Sequence, residues 1–249
     1  MTRLIAIAAA ALILAGGAHV WQSGQSTSAY PGLGAAAAQT AVEEVDTSIV
    51  QEMVLGSPDA PVTVIEYASF TCPYCRSFHI GPFNELKADY IDTGKVRFIY
   101  REVYFDRFGL WAGMVARCGF GEDDAAMEEA AAEGAANADQ AAAPDAGTRR
   151  YFAIADVIYE QQSEWSSADT PAGIAQNLAR IGRSAGLGAD QVDACLQDAA
   201  MAQALVAVYQ QNAEADGVRS TPTFIIDGET YSNMPWAEFA AILDEKLGE

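Results

Sequence analysis

The chain has 249 residues, of which 34 are acidic and 14 are basic, so its formal net charge at pH 7 is −20. A protein this acidic repels phosphate groups, which argues against nucleic acids and anionic lipids as partners. Contacts with a protein partner are therefore expected to be made through apolar and main-chain groups.

Residues 1–18 have the pattern of an export signal. Arg3 supplies a positive start, residues 4–15 an apolar core, and residues 16–18 (Gly-Gly-Ala) a small-residue cleavage site. The apolar core is shorter than the roughly 20 residues that a membrane-spanning helix needs, although an uncleaved anchor reaching Trp21 is an alternative. We expect an exported protein in the periplasm, where cysteines meet oxidising conditions.

Residues 19–47 consist mainly of Ser, Gly, Gln and Ala, which favours a flexible linker. The folded part is expected to begin near Ser48, and the residues that follow suffice for one domain with an insertion or for two small domains. Met53–Leu55 is a short strand candidate, and Val62–Ala68 is apolar enough on both faces to be a central strand.

The sequence Phe70-Thr71-Cys72-Pro73-Tyr74-Cys75 follows this strand and opens a predicted helix. Cys72 would lie at the helix N-terminus, where free backbone N–H groups and the helix dipole favour a thiolate. Pro73 fits the first helical turn, because its missing N–H has no partner to lose there. Cys75 would lie one turn further along, so the pattern predicts a redox-active dithiol.

A CxxC pair by itself is a weak signal, and two alternatives exist. Zinc could use His79 as a third ligand, but Cys118 and Cys195 are single and distant in sequence, so a fourth ligand is missing. An inert structural disulfide is the other alternative. His79 by itself is expected to be a half-exposed helix residue.

Glu66 lies inside the predicted central strand, where a carboxylate is costly to bury unless it is partnered or protonated. One interpretation is an acid beneath the dithiol that helps to move the Cys75 proton. The other is a charge at the edge of the sheet. Arg101, in the next predicted strand (Lys95–Val103), is the candidate partner of Glu66.

The rest of the chain is predicted to be mainly helical until a final hairpin and helix. The first helix, Pro73–Tyr90, should kink at Pro82. Asp227-Gly228 suits a type I′ turn, and Thr221-Pro222 precedes its first strand. The other predicted elements are helices Phe105–Arg117, Arg150–Trp165 (with Ile154, Ile158, Gln161 and Trp165 on one face), Ala175–Ala185 and Asp190–Ala213, strands Thr223–Ile226 and Glu229–Tyr231, and helix Pro235–Leu247.

Residues 121–147 are rich in Ala and acidic residues and lack aromatic and β-branched residues. Such a stretch cannot bury enough surface to offset its ordering, so a solvated loop or frayed helix is expected. Cys118 precedes it and Cys195 lies in a later helix. In an oxidising compartment the two are expected to form a structural disulfide, the alternative being two buried free thiols.

Taken together, these motifs resemble the DsbA type of thiol–disulfide oxidoreductase. The resemblance runs from about Met53 to Leu247 and implies an α/β fold, in which a thioredoxin-like domain (residues 48–106 and 213–249) carries an α-helical insertion (residues 107–212). The residues that carry it are Gly56-Ser57-Pro58-Asp59-Ala60-Pro61-Val62, Glu66, Cys72-Pro73-Tyr74-Cys75 and Gly217-Val218-Arg219-Ser220-Thr221-Pro222-Thr223-Phe224.

The resemblance also implies roles for single residues. Cys72 would be the nucleophile, Cys75 its buried partner and Glu66 the tuning acid. A cis Thr221-Pro222 bond would form the substrate-side loop, and Cys118 with Cys195 would match a second, noncatalytic bridge. Substrate contacts are expected near Phe70, Tyr74 and Thr221.

The implied function is to introduce disulfides into unfolded exported proteins with thiols, with a membrane partner of the DsbB type as reoxidant and with no cofactor or metal. Tyr74 replaces the His of the best-known oxidases, and Thr221 also occurs in isomerase-type relatives, so both could make the protein less oxidising. A disulfide isomerase or reductase is therefore one alternative, and a noncatalytic chaperone-like binding protein is another. Residues 22–47 look unstructured rather than like a dimerisation domain, so a monomer is expected.

Overall fold

A computed structural model describes residues 45–118, 120 and 144–249. Within these ranges, five strands form one mixed sheet in the order β1-β3-β2-β4-β5. Strands β2 and β3 are parallel, and the other neighbouring pairs are antiparallel. The strands are β1 (Met53–Leu55), β2 (Val62–Ala68), β3 (Val96–Glu102), β4 (Thr223–Ile226) and β5 (Glu229–Ser232).

The predicted helix from Pro73 to Tyr90 is interrupted rather than kinked. Helix α1 spans Pro73–His79, α2 spans Pro82–Leu86, and a π-helical turn follows at Lys87–Ile91. Pro82 has no N–H to donate to the preceding turn, so it ends α1 and starts α2. The two short helices bury the side chains of Phe78, Phe83 and Leu86 in the core.

Between β3 and β4, the described part of the chain forms six helices. Two predicted helices are each divided in two: the first breaks at Gln161, and the second breaks at Asp198, whose side chain caps the next helix by accepting from the N–H of Met201. The helices are α3 (Arg107–Ala116), α4 (Ala146–Glu160), α5 (Gln162–Trp165), α6 (Pro171–Ser184), α7 (Ala189–Gln197) and α8 (Ala199–Ala215).

The C-terminal hairpin and helix complete the sheet side of the molecule. Asp227 and Gly228 both have positive φ, 46° and 85°, as the predicted type I′ turn requires. Helix α9 (Trp236–Leu247) buries Phe239 and Leu243 against the sheet. The predicted α/β class is confirmed, since one sheet is combined with helices inserted between two of its strands.

Several predicted segments lie wholly or mostly outside the described residues. They are the signal (residues 1–18), most of the linker (residues 19–44) and most of the acidic stretch (residues 121–143). The last two residues of that stretch are helical, so of the two alternatives a loop is wrong there: α4 begins at Ala146, because Asp145 caps it by accepting from the N–H of Thr148 at 2.8 Å. No helix in the described ranges has the length and apolar character needed to cross a bilayer.

Candidate active site

Cys72 and Cys75 lie where β2 passes into α1. Cys72 is the N-cap residue of α1, and its carbonyl accepts from the N–H of Arg76 at 3.1 Å. Its side chain is half-buried, whereas Cys75 is fully buried under the first turn. Both are free thiols, so the chain presents one accessible and one hidden sulfur at the same helix end.

The accessible sulfur is favoured as a thiolate. The pKa of Cys72 is lowered from 9.0 to about 5, and the largest cause is the hydrogen bond from the Cys75 thiol. Desolvation opposes this, while the Thr221 side chain and the backbone N–H groups of Cys75 and Tyr74 favour the anion. At neutral pH Cys72 is therefore a thiolate, which is the nucleophilic form of cysteine.

The pKa of the buried sulfur, that of Cys75, is shifted in the opposite direction. Burial raises the pKa of Cys75 far above its usual value, and the hydrogen bond to Cys72 and the negative charge of Glu66 raise it further. Cys75 is therefore a neutral thiol at physiological pH. Of the two sulfurs, only Cys72 can attack an external disulfide without first losing a proton.

The loop before β4 faces the Cys72 sulfur. The Thr221–Pro222 peptide bond is cis, and the Cys72 thiol donates to the Thr221 carbonyl at 3.4 Å. When Cys72 is a thiolate, a hydrogen bond from the Thr221 side chain instead stabilises its negative charge. The structure thus brings together Cys72 and Thr221, which are 149 residues apart in sequence.

The two aromatic residues predicted to contact a substrate differ in exposure. The Tyr74 side chain is available, since the residue is 65% exposed. Phe70 is only 1% exposed, and its ring packs 5.0 Å from that of Tyr159 and 6.0 Å from that of Tyr100. The expectation of a substrate contact at Phe70 is therefore wrong, because its side chain belongs to the core beneath the loop.

Glu66 is fully buried in β2, the middle strand of the five described, which excludes an edge-of-sheet charge. Its partner is His79, whose Nε2 lies 3.0 Å from Glu66 Oε2. The predicted partner Arg101 instead binds Glu52 and Asp216. The expectation of a half-exposed His79 is also wrong, since its side chain is 2% exposed.

Sequence reasoning missed the side chains that hold the loop before Cys72. The Gln162 amide donates to the carbonyls of Phe70, at 2.8 Å, and Cys72, at 2.9 Å. The Thr71 hydroxyl donates to Asp106 at 2.8 Å. Asp106 could have been noticed as a helix cap, because a side-chain acceptor before a helical pattern is such a signal. Gln162 gives no comparable signal.

The other two cysteines lie away from the dithiol. Cys118, just after α3, and Cys195, in α7, are joined by a disulfide bond with their Cα atoms 5.8 Å apart. Over the described ranges, no group of three or more His, Cys, Asp and Glu side chains is arranged to hold a metal ion. The proposed zinc ligand His79 points its Nε2 at Glu66.

A family model described as thioredoxin matches residues 48–140 and 126–245. The chain belongs to the thioredoxin family. This thioredoxin-family chain is 28% identical to a putative protein-disulfide oxidoreductase of Rickettsia bellii, over 80% of its own length and 65% of that protein. It therefore spans somewhat less than two thirds of that relative. Over 58 residues, 23% of this chain and 26% of the other, it is 43% identical to disulfide bond formation protein D of Bacillus subtilis.

Solved structures of DsbA-type proteins share the fold of this thioredoxin-family chain. Wolbachia pipientis alpha-DsbA1 matches with a TM-score of 0.63 and 24% identity, covering 80% of this chain and 92% of that one. Oxidised BdbD from Bacillus subtilis matches with a TM-score of 0.62 and 19% identity, and the match covers 80% of this chain and 94% of BdbD. The predicted DsbA-type arrangement, a thioredoxin fold with inserted helices, is therefore confirmed.

Proposed function

We propose that this chain is a protein thiol–disulfide oxidoreductase that introduces disulfides into exported proteins through Cys72-Pro73-Tyr74-Cys75. The observation that carries the proposal is the contrast between an accessible Cys72, with a pKa of about 5, and a buried Cys75, whose pKa is raised. A thiolate stabilised in this way makes the reduced form favourable and hence the disulfide a good oxidant. The name of the Rickettsia bellii relative, putative protein-disulfide oxidoreductase, supports thiol–disulfide exchange as the type of reaction.

In the first step, a substrate thiolate attacks the Cys72 sulfur of the oxidised protein. The bond between the two cysteine sulfurs breaks, a bond between Cys72 and the substrate forms, and the electron pair leaves on Cys75. Because the buried Cys75 strongly favours its neutral form, this sulfur takes up a proton.

In the second step, another substrate thiolate attacks the substrate sulfur of the mixed disulfide. The leaving group is the Cys72 thiolate, which is a good one because its pKa is low. Of the two protons that the substrate dithiol gives up, one ends on Cys75 and the other passes to solvent. The substrate is oxidised by two electrons and the Cys72–Cys75 pair is reduced.

The surroundings of Cys72 suit an extended peptide as the substrate. The Thr221 loop lies against the sulfur and offers main-chain groups, and Tyr74 adds an exposed aromatic ring. The substrates are unfolded exported proteins, and the site of action is the periplasm. A membrane protein of the DsbB type then reoxidises the dithiol, and the chain works as a monomer.

The test is a redox titration of the full chain in glutathione buffers, with the fraction of oxidised Cys72–Cys75 measured by thiol alkylation. We expect one two-electron transition with a potential above about −200 mV, on the oxidising side of the glutaredoxins. A value below about −250 mV, close to that of thioredoxin, would contradict an oxidase and indicate a reductant.

Assays of reduced and scrambled ribonuclease and of insulin then separate the alternatives. We expect oxidation of reduced ribonuclease to exceed both repair of scrambled ribonuclease and reduction of insulin. Cys72→Ser should abolish all three activities. A protein that binds unfolded chains equally well with or without Cys72, and catalyses none of these reactions, would instead be a noncatalytic chaperone.

A further inference from the structure

Two arginines lie beside the loop that carries Cys72. Arg76 lies one turn further along α1, and its N–H donates to the Cys72 carbonyl at 3.1 Å. Arg107 is the first residue of α3 and follows Asp106, whose carboxylate accepts from the Thr71 hydroxyl at 2.8 Å. Two different elements therefore bring a guanidinium group into the neighbourhood of the dithiol.

A third arginine lies in the loop on the other side of the Cys72 sulfur. Arg219 and Ser220 are exposed and precede Thr221, whose carbonyl accepts from the Cys72 thiol at 3.4 Å. Two residues span at most about 7 Å of chain, so the long Arg219 side chain can reach a substrate bound at Thr221. We refer to three residues together as the arginine rim, namely Arg76, Arg107 and Arg219.

None of these three guanidinium groups forms an ion pair in the part of the chain that the structure describes. Arg76 donates from Nη2 to the main-chain carbonyl of Glu160 at 3.3 Å, and its Nε is buried with no hydrogen-bond partner among the same residues. The Arg107 guanidinium lies over the rings of Phe108 and Trp111, 5.0 and 5.8 Å from their centroids. Carbonyls and rings do not neutralise a cation, so the rim keeps its positive charge.

Two carboxylates of the same region do not neutralise the rim. Asp106 is occupied by neutral donors, since its oxygens accept from the Thr71 hydroxyl and from the N–H groups of Phe108 and Gly109. Glu160 is exposed, and within the described ranges its carboxylate forms no ion pair. A peptide bound at the dithiol therefore meets guanidinium donors that are available to it.

We propose that the arginine rim selects substrate proteins whose cysteines are flanked by Asp or Glu residues. While the substrate cysteine is joined to Cys72, the neighbouring carboxylates bind the guanidinium groups. Arginine suits them because its N–H groups can donate to both carboxylate oxygens at once. The composition predicts apolar and main-chain contacts, and the rim adds a charged one. The inference rests on the proposed function, because it names the substrate class of the same site.

The net charge of the chain is compatible with this selection. A chain with a net charge of −20 repels an acidic peptide at long range. At physiological ionic strength, however, charges further apart than about 8 Å are largely screened, so the groups that touch the peptide decide its preference. One exposed ion pair changes an equilibrium by about 1.5-fold to 5-fold, so the three together should give a preference of about tenfold.

Matched peptides measure this preference. Three peptides of about twelve residues each carry two cysteines and differ only at the flanking positions, which hold Glu, Gln or Lys. The oxidised full chain is mixed with each peptide at about pH 7 and about 150 mM salt, and the peptide disulfide is measured after acid quenching. Each rate is divided by the rate with hydroxyethyl disulfide, a small neutral oxidant, because flanking charges also change the pKa of the peptide thiols. We expect the normalised rate of the Glu peptide to exceed that of the Lys peptide about tenfold.

Variants assign the preference to the rim. Arg107→Gln combined with Arg219→Gln should reduce the ratio of the Glu rate to the Lys rate to about threefold or less. Arg219→Glu should lower this ratio more than Arg219→Gln does, because it repels the same carboxylates. Arg76→Gln should lower it more than Arg76→Lys, which keeps the charge. Circular dichroism checks that each variant is folded.

The matched control changes two arginines away from the dithiol. Arg180 and Arg183 are exposed near the end of α6, and in the described ranges they form no ion pair. Between them, a Cβ on Gly182 would lie 3.3 Å from Val115, which is about 12 Å along α3 from Arg107. Arg180→Gln combined with Arg183→Gln has the same net charge as the double rim variant and should keep the wild-type ratio.

Salt separates charge from shape. Raising the salt concentration to about 1 M should bring the wild-type ratio below about threefold, because screening weakens exposed ion pairs. A wild-type ratio near one at about 150 mM salt, or a wild-type ratio in the double rim variant, would overturn the inference. The proposed function would stand in either case as long as the three peptides are oxidised. Oxidation of none of them would contradict the proposed function and the inference with it.

Discussion

At the scale of single residues, the pKa values of two cysteines three positions apart are shifted in opposite directions. Cys72 caps a helix and receives hydrogen bonds, so its pKa falls to about 5. Cys75 is buried beside that charge and near Glu66, so its pKa rises. Each sulfur stabilises the state of the other, because the thiol of Cys75 is the donor that favours the thiolate of Cys72.

Removing that donor should therefore weaken the thiolate. We expect Cys75→Ala to raise the midpoint of Cys72 alkylation, near pH 5 in the wild type, by about one pH unit or more. Cys75→Ser is the matched control, since it keeps a hydroxyl donor and should shift the midpoint less. Alkylation rates with iodoacetamide across the pH range measure the midpoint in both variants. Equal midpoints in Cys75→Ala and in the wild type would show that the Cys75 hydrogen bond does not lower the pKa of Cys72.

The two pKa directions also set how the reduction potential depends on pH. Below pH 5, reduction takes up two protons with two electrons, so the potential should fall by about 59 mV per pH unit. Above pH 5 only Cys75 takes up a proton, and the slope should drop to about 30 mV per unit. Glutathione titrations from pH 4 to 8 check this, and a constant slope of about 59 mV would show that Cys72 stays protonated.

At the scale of secondary-structure elements, inserted helices hold the loop between β2 and α1. Asp106, which caps α3, binds the Thr71 hydroxyl, and Gln162 of α5 binds two carbonyls of the same loop. Asp106 also accepts from the N–H groups of Phe108 and Gly109, so one carboxylate serves both the helix and the loop. The inserted helices therefore help to build the site.

Gln162→Leu should show how much this support contributes to stability. The substitution removes the donor from two main-chain carbonyls, so we expect it to lower the free energy of unfolding by about 1–3 kcal/mol. Gln161→Leu, at the adjacent half-buried position, is the control and should cost at most about 0.5 kcal/mol. Urea unfolding measures both variants, and equal effects would mean that the loop contacts contribute little.

At the scale of the whole molecule, buried polar links join distant parts of the chain. Arg117, at the end of α3, binds Glu102 of β3 at 2.6 and 2.8 Å and the carbonyl of Gln51 at 2.8 Å. The Tyr151 hydroxyl of α4 donates to the same carboxylate at 2.9 Å. Immediately after Arg117, Cys118 forms the disulfide to Cys195, so the end of α3 is tied to the sheet and to α7.

The disulfide is expected to be structural rather than redox-active. Its cysteines are 77 residues apart, so it restricts a long loop of the unfolded chain, and the double variant Cys118→Ala, Cys195→Ala should lose about 2–5 kcal/mol of stability. The midpoint of Cys72 alkylation should stay unchanged. Thermal unfolding and alkylation measure the two effects, and a large shift of that midpoint would show that the disulfide also tunes the dithiol.

Local patterns were sufficient for the parts of this protein that depend on neighbouring residues. An apolar strand followed by CxxC with proline at the second position predicts a cysteine at a helix N-terminus, and Cys72 is there. Asp227-Gly228 predicts a type I′ hairpin, because few other residues tolerate two positive φ angles in succession. The type of these elements could therefore be predicted from the sequence, whereas the helix breaks at Gln161 and Asp198 could not.

Partners across the sheet depended on register, which the sequence does not show. Glu66 pairs with Tyr100 and Tyr67 with Arg101, and paired residues point to the same face of a sheet. Arg101 therefore lies on the face opposite Glu66, although its charge made it the obvious partner.

Phase along a helix was the other property that only the tertiary structure decided. The break at Gln161 starts a new helix, so Gln162 rather than Gln161 turns inward and reaches the loop. Sequence alone determined the dithiol and the hairpin, because these follow from local pattern, and the resemblance to DsbA-type proteins implied the fold class. Tertiary structure alone decided the Glu66–His79 pair and the Gln162 contacts, because side chains distant in sequence meet only when register and phase are set.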